Sequence, residues 1–250
     1  MKSILITGCN RGLGLGMIKT LVGLEHSHQP AHIFATCRNK AKAQELVALE
    51  DQHPNLHVFE IDITDFSKHQ EVLVDGISTV VKSSGLNVLV NNAGISAKFT
   101  RIGMLKAEQM TEHFLVNVTA PLMLTKALLP LLKAASDANS EAPLGSSRAS
   151  IVNVSSILGS IEDNKQGGFY PYRVSKAALN AATRSLSFDL KEDKILATAM
   201  HPGWVKTDMG GANAPLDIVP ATAGIIKFIQ GLSETHNGQF FEYTGKTIRW

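Results

Sequence analysis

Cysteine is scarce in this sequence: only Cys9 and Cys37 occur among 250 residues. Two thiols are too few for the dense disulfide frameworks of small secreted domains. One disulfide stays possible on count, but two small buried thiols in a reducing compartment are the favoured interpretation. Neither sign of charge predominates, since the formal net charge is +2. Without a general basic field, no nucleic acid is expected as a partner.

Long hydrophobic runs are lacking as well. We find no uncharged apolar stretch approaching the ~18 residues of a membrane-spanning helix, and the apolar run after residues 1–3 is too short for a signal peptide. We therefore expect a cytoplasmic protein without a membrane partner. His26, His28 and His32 lie near one another but have no carboxylate or cysteine partners, so no metal site is predicted.

The sequence does contain a regular alternation of short apolar runs with longer helical patterns. Hydrophobic residues make up 44% of the chain, enough for a substantial core in one large domain or two small ones. Strands separated by helices imply parallel pairing through right-handed crossovers. The predicted strands are 3–7, 32–36, 56–61, 87–91, 150–155, 195–200 and a candidate last strand at 239–243, and the predicted helices are 13–24, 40–50, 66–83, 108–135 and 171–190.

This pattern predicts an α/β fold: a single doubly wound, Rossmann-type domain over 1–250, with a parallel sheet of about seven strands and helices on both faces. The segment 134–148 is rich in Ser, Ala, Asn and Gly and could pass for a domain linker. Because strand–helix alternation resumes unchanged after it, a surface loop is the better interpretation.

A glycine cluster, Gly8, Gly12 and Gly14, follows the first predicted strand and opens the first predicted helix. Glycines allow a sharp turn and let a pyrophosphate approach the free N–H groups at a helix N-terminus. The cluster alone could be a plain tight turn, but its strand–loop–helix setting favours a dinucleotide site. Its spacing is Gly-x-x-x-Gly-x-Gly, which differs from the Gly-x-Gly-x-x-Gly of many dinucleotide-binding domains.

Tyr172 and Lys176 are spaced so that both side chains lie on one face of a predicted helix. A free phenol has a pKa near ~10, and a neighbouring ammonium would lower that pKa towards the working range of an acid–base group. An exposed helical pair can have the same spacing by chance. Together with the glycine cluster, however, the pair predicts an enzyme that transfers a hydride and a proton.

Four motifs occur in the order of one enzyme family and span nearly the whole chain. They are Thr7-Gly8-x-x-x-Gly12-x-Gly14, Asn91-Asn92-Ala93-Gly94, Tyr172-x-x-x-Lys176 and Pro202-Gly203-x-Val205-x-Thr207. With these motifs the sequence resembles the short-chain dehydrogenase/reductase family. Residues 6–16, 155–161 and 201–211 are similar to the sniffer-like carbonyl reductases within it.

The resemblance implies a nicotinamide dinucleotide along one edge of the sheet. Asp62 would bond the adenine amino group, with a turn or N-cap role as the alternative. Asn91 and its neighbours would flank the adenine ribose and steady the central sheet, unless they form a plain turn. The implied cofactor-binding residues are Gly8, Asn10, Arg11, Gly12, Leu13, Gly14, Arg38, Asp62, Ile63, Asn91, Ala93, Gly94, Tyr172, Lys176, Pro202, Gly203, Val205 and Thr207.

Charge at the end of the second predicted strand distinguishes the two nicotinamide cofactors. An acidic residue there commonly holds the ribose 2′-OH of NAD(H), but this strand ends at Arg38 without a carboxylate. The guanidinium groups of Arg38 and Arg11 could hold a 2′-phosphate, whereas two solvated surface arginines are the plain alternative. The sequence therefore favours NADP(H).

The resemblance also implies four catalytic residues. Tyr172 would supply a proton and Ser156 would polarise the carbonyl oxygen; Lys176 would tune the phenol and hold the nicotinamide ribose. Asn117 would hold water in a proton relay, with bonding to neighbouring backbone at a kink as the alternative. The interval from Ser156 to Tyr172 is 16 residues, against about 12 to 14 in the family, which leaves Ser160 as an alternative catalytic serine.

The sequence thus predicts an NADPH-dependent carbonyl reductase that acts on a small-molecule ketone or aldehyde. The alternatives are an alcohol or steroid dehydrogenase working in the oxidative direction and a non-catalytic NADP(H)-sensing protein. Loops near 96–105 and 208–219 are expected to select the substrate, the second as a mobile lid. Apolar faces on the predicted helices 108–135 and 171–190 would permit a homodimer.

Overall fold

Seven strands form one sheet in the computed structural model, which describes residues 1–97 and 99–250. They are β1 (Ser3–Ile6), β2 (His32–Cys37), β3 (Leu56–Glu60), β4 (Val88–Asn91), β5 (Ser150–Val154), β6 (Leu196–His201) and β7 (Phe240–Glu242). Their order in the sheet is β3-β2-β1-β4-β5-β6-β7, and every neighbouring pair is parallel. The predicted parallel sheet of seven strands is confirmed.

Helices connect the strands and cover both faces of the sheet, as the sequence predicts. They are α1 (Gly12–Val22), α2 (Gln44–Gln52), α3 (Gly76–Val81), α4 (Ala107–Phe114), α5 (Ala120–Ala138), α6 (Tyr170–Asp189) and α7 (Ile218–Gln230). Two π-helical stretches interrupt the regular pattern: His69–Asp75 leads into α3, and Leu115–Thr119 joins α4 to α5.

Alternating side chains along each strand divide the core into two apolar layers. Ile4 and Ile6 point to the face covered by α1 and α7, where they pack with Ile225, whereas Leu5 points to the opposite layer with Leu128 of α5. All five side chains are buried. A sheet that is covered on both faces buries successive strand residues, which explains the continuous apolar runs in the sequence.

Helix α7 and the segment 134–148 differ from the prediction. Helix α7 was not predicted, although Ile225 and Ile229 have helical spacing and are buried in the core. The segment 134–148 is a loop only after Ala138, because its first residues form the last turn of α5. The Oγ of Ser136 in that turn donates to the carbonyl oxygen of Asp193 over 2.7 Å, which anchors the helix end before the loop begins.

Among the described helices, the continuous run Ala107–Ala138 is long and apolar enough to cross a membrane by length and composition. The sequence predicts no uncharged apolar stretch of ~18 residues, and within this run Lys126 carries a charge. Leu124, Leu128 and Leu132 of this run are buried in a core layer against the sheet. The fold therefore uses the apolar face of the run for internal packing.

The strand order reverses between β1 and β4, so the connections that leave these two strands turn in opposite directions. In doubly wound sheets such a reversal opens a crevice outside the carboxyl ends of the strands, where ligands bind. The fold thus predicts where a functional site should lie before any side chain is considered.

Candidate active site

A cleft of about 430 Å³ lies at the carboxyl ends of the strands, at the reversal between β1 and β4. Its volume falls in the range typical of small-molecule and cofactor sites. The cleft brings together most of the residues that the sequence predicts for a cofactor. These lining residues are Gly8, Asn10, Arg11, Gly12, Leu13, Gly14, Arg38, Asp62, Ile63, Ala93, Gly94, Tyr172, Lys176, Pro202 and Thr207.

Asn91 does not line the cleft, contrary to its predicted position beside a ribose. Asn91 is the last residue of β4, and its side chain points to the α5 side of the sheet. Its Nδ2 donates to Oδ1 of Asn153 over 2.8 Å and to Oγ1 of Thr125 in α5 over 3.3 Å. Because side chains alternate along a strand, the next residue, Asn92, faces the cleft instead. The structure supports only the sheet-steadying part of the prediction for Asn91.

Gly203 and Val205 are also absent from the cleft lining, although Pro202 and Thr207 are present. Val205 is buried and bridges to Leu216, so its side chain belongs to the packing beneath the segment. Gly203 has a φ of 85°, which turns the chain behind Pro202. These two residues shape the segment after β6, and its neighbouring residues face the cleft.

The glycine-rich loop needs glycine for two separate reasons. Gly8 has a φ of 72°, and a Cβ there would lie 2.9 Å from the Cα of Ala93. A Cβ on Gly14 would lie 2.2 Å from the carbonyl oxygen of Gly8. The loop is therefore packed against itself and against the chain after β4, and it exposes backbone towards the cleft.

Helix α1 begins in this loop with Arg11 at its N-cap. In the described part of the chain no side chain caps this end, and its first turn has no acidic residue. Free N–H groups and the helix dipole at such an end favour a phosphate group. The cleft thus has a preformed surface for an anion next to its glycine-lined wall.

Thr7 and Asn92 hold this wall in place. The Oγ1 of Thr7 accepts hydrogen bonds from the backbone N–H groups of Asn92 and Ala93, both over 3.0 Å, and Nδ2 of Asn92 donates to the carbonyl oxygen of Thr7 over 2.8 Å. Asn92 is part of the motif at 91–94 but was not among the predicted site residues. The alternation of side chains along a strand is the pattern that could have identified it.

The two predicted phosphate-binding arginines differ in their surroundings. Arg11 forms an ion pair with Asp208, and both side chains are about two-thirds exposed, at 67% and 71%. Arg38 is exposed at the end of β2 and lines the cleft. Asp62 accepts hydrogen bonds from N and Oγ1 of Thr64, over 2.9 and 2.7 Å, so the predicted turn role is realised while the residue also lines the cleft.

These residues fit a phosphorylated dinucleotide. The glycine-rich loop lines the cleft, the N-terminus of α1 suits a pyrophosphate, and the guanidinium groups of Arg11 and Arg38 suit a further phosphate. Within the described ranges, no group of three or more His, Cys, Asp or Glu side chains could hold a metal ion. Cys9 and Cys37 are free, buried thiols.

Tyr172 and Lys176, in the first turns of α6, lie at the far end of the same cleft. Burial raises the pKa of Tyr172 to about 12, and a hydrogen bond with the side chain of Ser156 opposes that rise. Burial is the larger of these two causes, and the lowering of the phenol pKa by the ammonium of Lys176 stays a prediction. The Nζ of Lys176 lies 5.7 Å from the centroid of the Tyr172 ring and donates to the carbonyl oxygen of Val154 over 2.8 Å.

Lys176 is almost completely buried, with 4% of its surface exposed. Removal from water disfavours the charged form, so burial lowers the pKa of Lys176 to about 8. The group still carries its proton for most of the time at neutral pH. The cleft therefore contains a buried cation beside a phenol that stays protonated.

Asn117 lies outside the cleft lining, in the π-helical stretch between α4 and α5, and is fully buried. Its Oδ1 accepts the N–H of Ile95 and its Nδ2 donates to the carbonyl oxygen of Ile95, both over 2.9 Å; Nδ2 also lies 3.0 Å from Oγ of Ser175. The predicted alternative of backbone bonding at a helix irregularity is therefore present. Asn117 joins the chain after β4 to α6.

Ser156 and Ser160, the two candidate catalytic serines, have different neighbours. Ser156 follows β5; its Oγ accepts the N–H of Leu158 over 3.2 Å and is hydrogen-bonded to Tyr172. Ser160 is buried, and its Oγ bonds to the carbonyl oxygen of Trp250 over 3.3 Å and to the N–H of Asp163 over 3.1 Å. Of the two hydroxyl groups, that of Ser156 is the one joined to the phenol.

His113 of α4 is a residue near the site that the sequence analysis did not single out. It is buried; its Nε2 accepts the N–H of Ala97 over 2.8 Å, and its Nδ1 donates to the carbonyl oxygen of Gln109 over 2.7 Å. His113 thereby fixes part of the predicted substrate loop 96–105, of which Lys98 lies outside the described residues. No local pattern in the sequence marks this role.

Known proteins share this fold. The family profile described as short chain dehydrogenase matches residues 2–228. The carbonyl reductase Sniffer of D. melanogaster is 51% identical, with 100% of each chain covered and a TM-score of 0.98. An NADPH-bound carbonyl reductase from chicken fatty liver is 40% identical, covering 100% of this chain and 99% of that one, with a TM-score of 0.92.

A curated relative covers less of the chain. C-signal of Myxococcus xanthus is 39% identical over 173 residues, which are 69% of this chain and 98% of that protein. The four motifs, the reversed strand order and these likenesses agree with one another. The chain therefore belongs to the short-chain dehydrogenase family, and within it is of the sniffer-like carbonyl reductase type.

Proposed function

We propose that this protein is an NADPH-dependent carbonyl reductase that reduces a ketone or an aldehyde, with Tyr172 as the proton donor. The observation that carries the proposal is that one cleft brings Tyr172 and Lys176 together with the glycine-rich loop and Arg38. The names of two similar structures support it, because both are carbonyl reductases and one of them is NADPH-bound.

NADPH supplies a hydride when it is bound. The chain supplies the binding surface: the glycine-rich loop and the N-terminus of α1 would receive the pyrophosphate. Arg11 and Arg38 would receive the 2′-phosphate, since both guanidinium groups line the cleft and β2 ends without a carboxylate. Thr207 and Pro202 would face the nicotinamide end, where Tyr172 and Lys176 also lie.

Reduction places negative charge on the carbonyl oxygen as the carbon accepts the hydride. The hydroxyl of Ser156 would hydrogen-bond this oxygen, and the phenol of Tyr172 would then transfer its proton to it. The ammonium of Lys176 would stabilise the resulting phenolate and hold the nicotinamide ribose. Asn117 would keep Lys176 and the chain after β4 in register, consistent with its contacts to Ile95 and Ser175.

The hydrogen bond between Tyr172 and Ser156 favours a catalytic role for the cleft. With a pKa of about 12 the phenol keeps its proton at neutral pH, which suits a proton donor. A non-catalytic NADP(H) sensor needs no hydrogen bond between Tyr172 and Ser156. Reduction of a small-molecule carbonyl compound is thus the function that the site fits best.

We further propose that residues 1–250 work as one NADP(H)-binding unit, because strands from both ends of the chain belong to one sheet. We also propose a cytoplasmic location. Val174 and Phe188 of α6 are exposed apolar side chains, at 39% and 62%, and would permit a homodimer.

Turnover of p-nitrobenzaldehyde and a panel of ketones with NADPH and with NADH, followed by cofactor absorbance, tests the proposal. We expect reduction of at least one carbonyl compound and a clear preference for NADPH. Tight NADPH binding without turnover of any compound would indicate the sensing protein instead. A preference for NADH would overturn the assignment of Arg11 and Arg38.

A further inference from the structure

The segment between Ser156 and Tyr172 is attached to the last two residues of the sequence. The carbonyl oxygen of Trp250 accepts the N–H of Glu162 over 3.0 Å and the Oγ–H of Ser160 over 3.3 Å. The guanidinium of Arg249 pairs with the carboxylates of Glu162 and Asp163, the latter over 2.7 Å. Residues 160–163 are therefore held by both backbone and side-chain contacts.

Trp250 is itself fixed to the sheet. Its ring stacks on that of Phe240 in β7, with centroids 5.6 Å apart and planes 22° apart. Phe240 is fully buried, and its carbonyl oxygen accepts the N–H of Ile248 over 2.8 Å. The contacts of Arg249 and Trp250 thus connect residues 160–163 to a rigid part of the fold.

Residues 160–163 follow directly after the turn that carries the Ser156 hydroxyl. The N–H of Gly159 donates to the carbonyl oxygen of Ser156 over 2.7 Å, and the N–H of Ser160 donates to that of Ile157 over 3.0 Å. A Cβ on Gly159 would lie 2.9 Å from the Cβ of Lys176, so the turn packs directly against α6. A shift of residues 160–163 would therefore move Ser156 relative to Tyr172 and Lys176.

We propose that Arg249 and Trp250 are positioning residues that hold the Ser156 hydroxyl against Tyr172 through residues 157–163. The interval from Ser156 to Tyr172 is 16 residues, and a connection of this length has conformational freedom to lose. The contacts of Arg249 and Trp250 remove that freedom before the substrate binds. This inference rests on the carbonyl reductase function proposed above.

The exposure of the Arg249 ion pairs determines how large a loss of kcat we expect when they are removed. The side chain of Arg249 is 64% exposed, and its carboxylate partners are 55% and 29% exposed. Exposed pairs contribute little individually, but one planar guanidinium that spans two carboxylates fixes their geometry. Loss of both pairs should reduce kcat by about fivefold rather than abolish activity.

The test compares Arg249→Gln, Arg249→Lys and Trp250→Leu with the wild type, using p-nitrobenzaldehyde and NADPH. We expect kcat to fall about fivefold in Arg249→Gln, with partial recovery in Arg249→Lys and a similar fall in Trp250→Leu. The Kd for NADPH should stay unchanged. The kinetic isotope effect with deuterated NADPH should rise, because hydride transfer becomes slower than the other steps.

A double-mutant cycle with Ser156→Ala separates positioning from general stability. Once the hydroxyl is absent, Arg249→Gln should cause no further loss of kcat. Lys133→Gln is the matched control: it breaks an exposed ion pair with Asp193, 2.9 Å long, on the far side of α5 and should leave kcat unchanged. An unchanged kcat in Arg249→Gln, or an equal loss in the Ser156→Ala background, would overturn the inference.

The same measurements distinguish failure of the positioning role from failure of the proposed function. A wild-type protein whose turnover does not depend on Tyr172 would refute the reductase mechanism. A wild-type protein that depends on both Tyr172 and Ser156 but is indifferent to Arg249 would refute only the positioning role.

Discussion

The guanidinium of Arg11 is paired with the carboxylate of Asp208, although 197 positions separate the two residues in the sequence. The pair joins the glycine-rich loop to the segment after β6, and both residues line the cleft. Asp208 thus places a negative charge next to an arginine that is expected to bind phosphate. The carboxylate weakens the attraction of this part of the cleft for an anionic cofactor.

Asp208→Asn should therefore strengthen the binding of NADPH. Removal of the carboxylate frees the guanidinium of Arg11, and we expect the Kd to fall by about twofold to fivefold. Fluorescence titration at two salt concentrations measures this change, which should be larger at low salt. Asp217→Asn is the control, because Asp217 pairs with Lys206 over 2.9 Å and does not line the cleft. Weaker binding in Asp208→Asn would contradict the account.

Arg38→Ala should reduce the preference for NADPH over NADH. A hydrogen bond to a charged group contributes about 1.5–3 kcal/mol, so the ratio of kcat/KM values for the two cofactors should fall by roughly 10-fold to 100-fold. Steady-state kinetics with both cofactors give this ratio. Lys40→Gln removes a neighbouring cation that pairs with Glu50 over 3.0 Å, and it should leave the ratio unchanged. An unchanged ratio in Arg38→Ala would show that this arginine is only a surface residue.

Gly14→Ala should destabilise the protein and impair NADPH binding. The new Cβ would lie 2.2 Å from the carbonyl oxygen of Gly8, so the glycine-rich loop must shift. Overpacking of this kind costs about 1–3 kcal/mol of the free energy of unfolding. Thermal unfolding with and without NADPH measures both effects. Gly103→Ala is the control for stability, because a Cβ there meets nothing within 4 Å; equal melting temperatures for the two variants would refute the close approach.

The sequence was sufficient to predict the sheet because its strands are covered on both faces. Runs such as 88–90 are apolar at successive positions, which suits a strand that is covered on both faces. Helix α7 was not predicted, although Ile225 and Ile229 have helical spacing and are buried. Short-range patterns were reliable where burial was uniform along an element.

The site was harder to predict where distant parts of the chain meet. The glycine cluster and the Tyr172–Lys176 pair could be recognised, because each lies within one short segment. The partner of Arg11 lies near the other end of the chain, and the pKa of Tyr172 depends on burial and on Ser156. The choice between Asn91 and Asn92 depended on the face of the sheet to which each side chain points, and a strand that is apolar on both faces does not reveal that face.

Lys176→Met should stabilise the protein without its cofactor while it abolishes activity. Burial lowers the pKa of Lys176 from its usual 10.5 to about 8, so at neutral pH the folded state keeps a proton at a site that disfavours charge. Replacement by an apolar side chain of similar length removes this cost, and we expect a gain of about 1–2 kcal/mol in the free energy of unfolding at pH 7. Chemical denaturation measures the gain.

The pH dependence of the stability gain in Lys176→Met tests whether the buried ammonium of Lys176 is its cause. Between pH 8 and pH 10.5 the folded wild type has lost the proton of Lys176 while the unfolded chain still binds it. Because the unfolded state then binds more protons, the stability of the wild type rises with pH across this window. The advantage of Lys176→Met should therefore shrink from pH 8 upwards. A constant advantage would show that packing, and not the buried ammonium, accounts for it.

The central claim is that the phenol of Tyr172 delivers the proton to a carbonyl oxygen, and Tyr172→Phe tests it most directly. The substitution removes only the hydroxyl group that is hydrogen-bonded to Ser156. We predict that kcat for carbonyl reduction falls by about 100-fold or more, while the Kd for NADPH, measured by fluorescence titration, stays within about twofold of the wild type. A Tyr172→Phe variant that reduces carbonyl compounds at the wild-type rate would contradict the account.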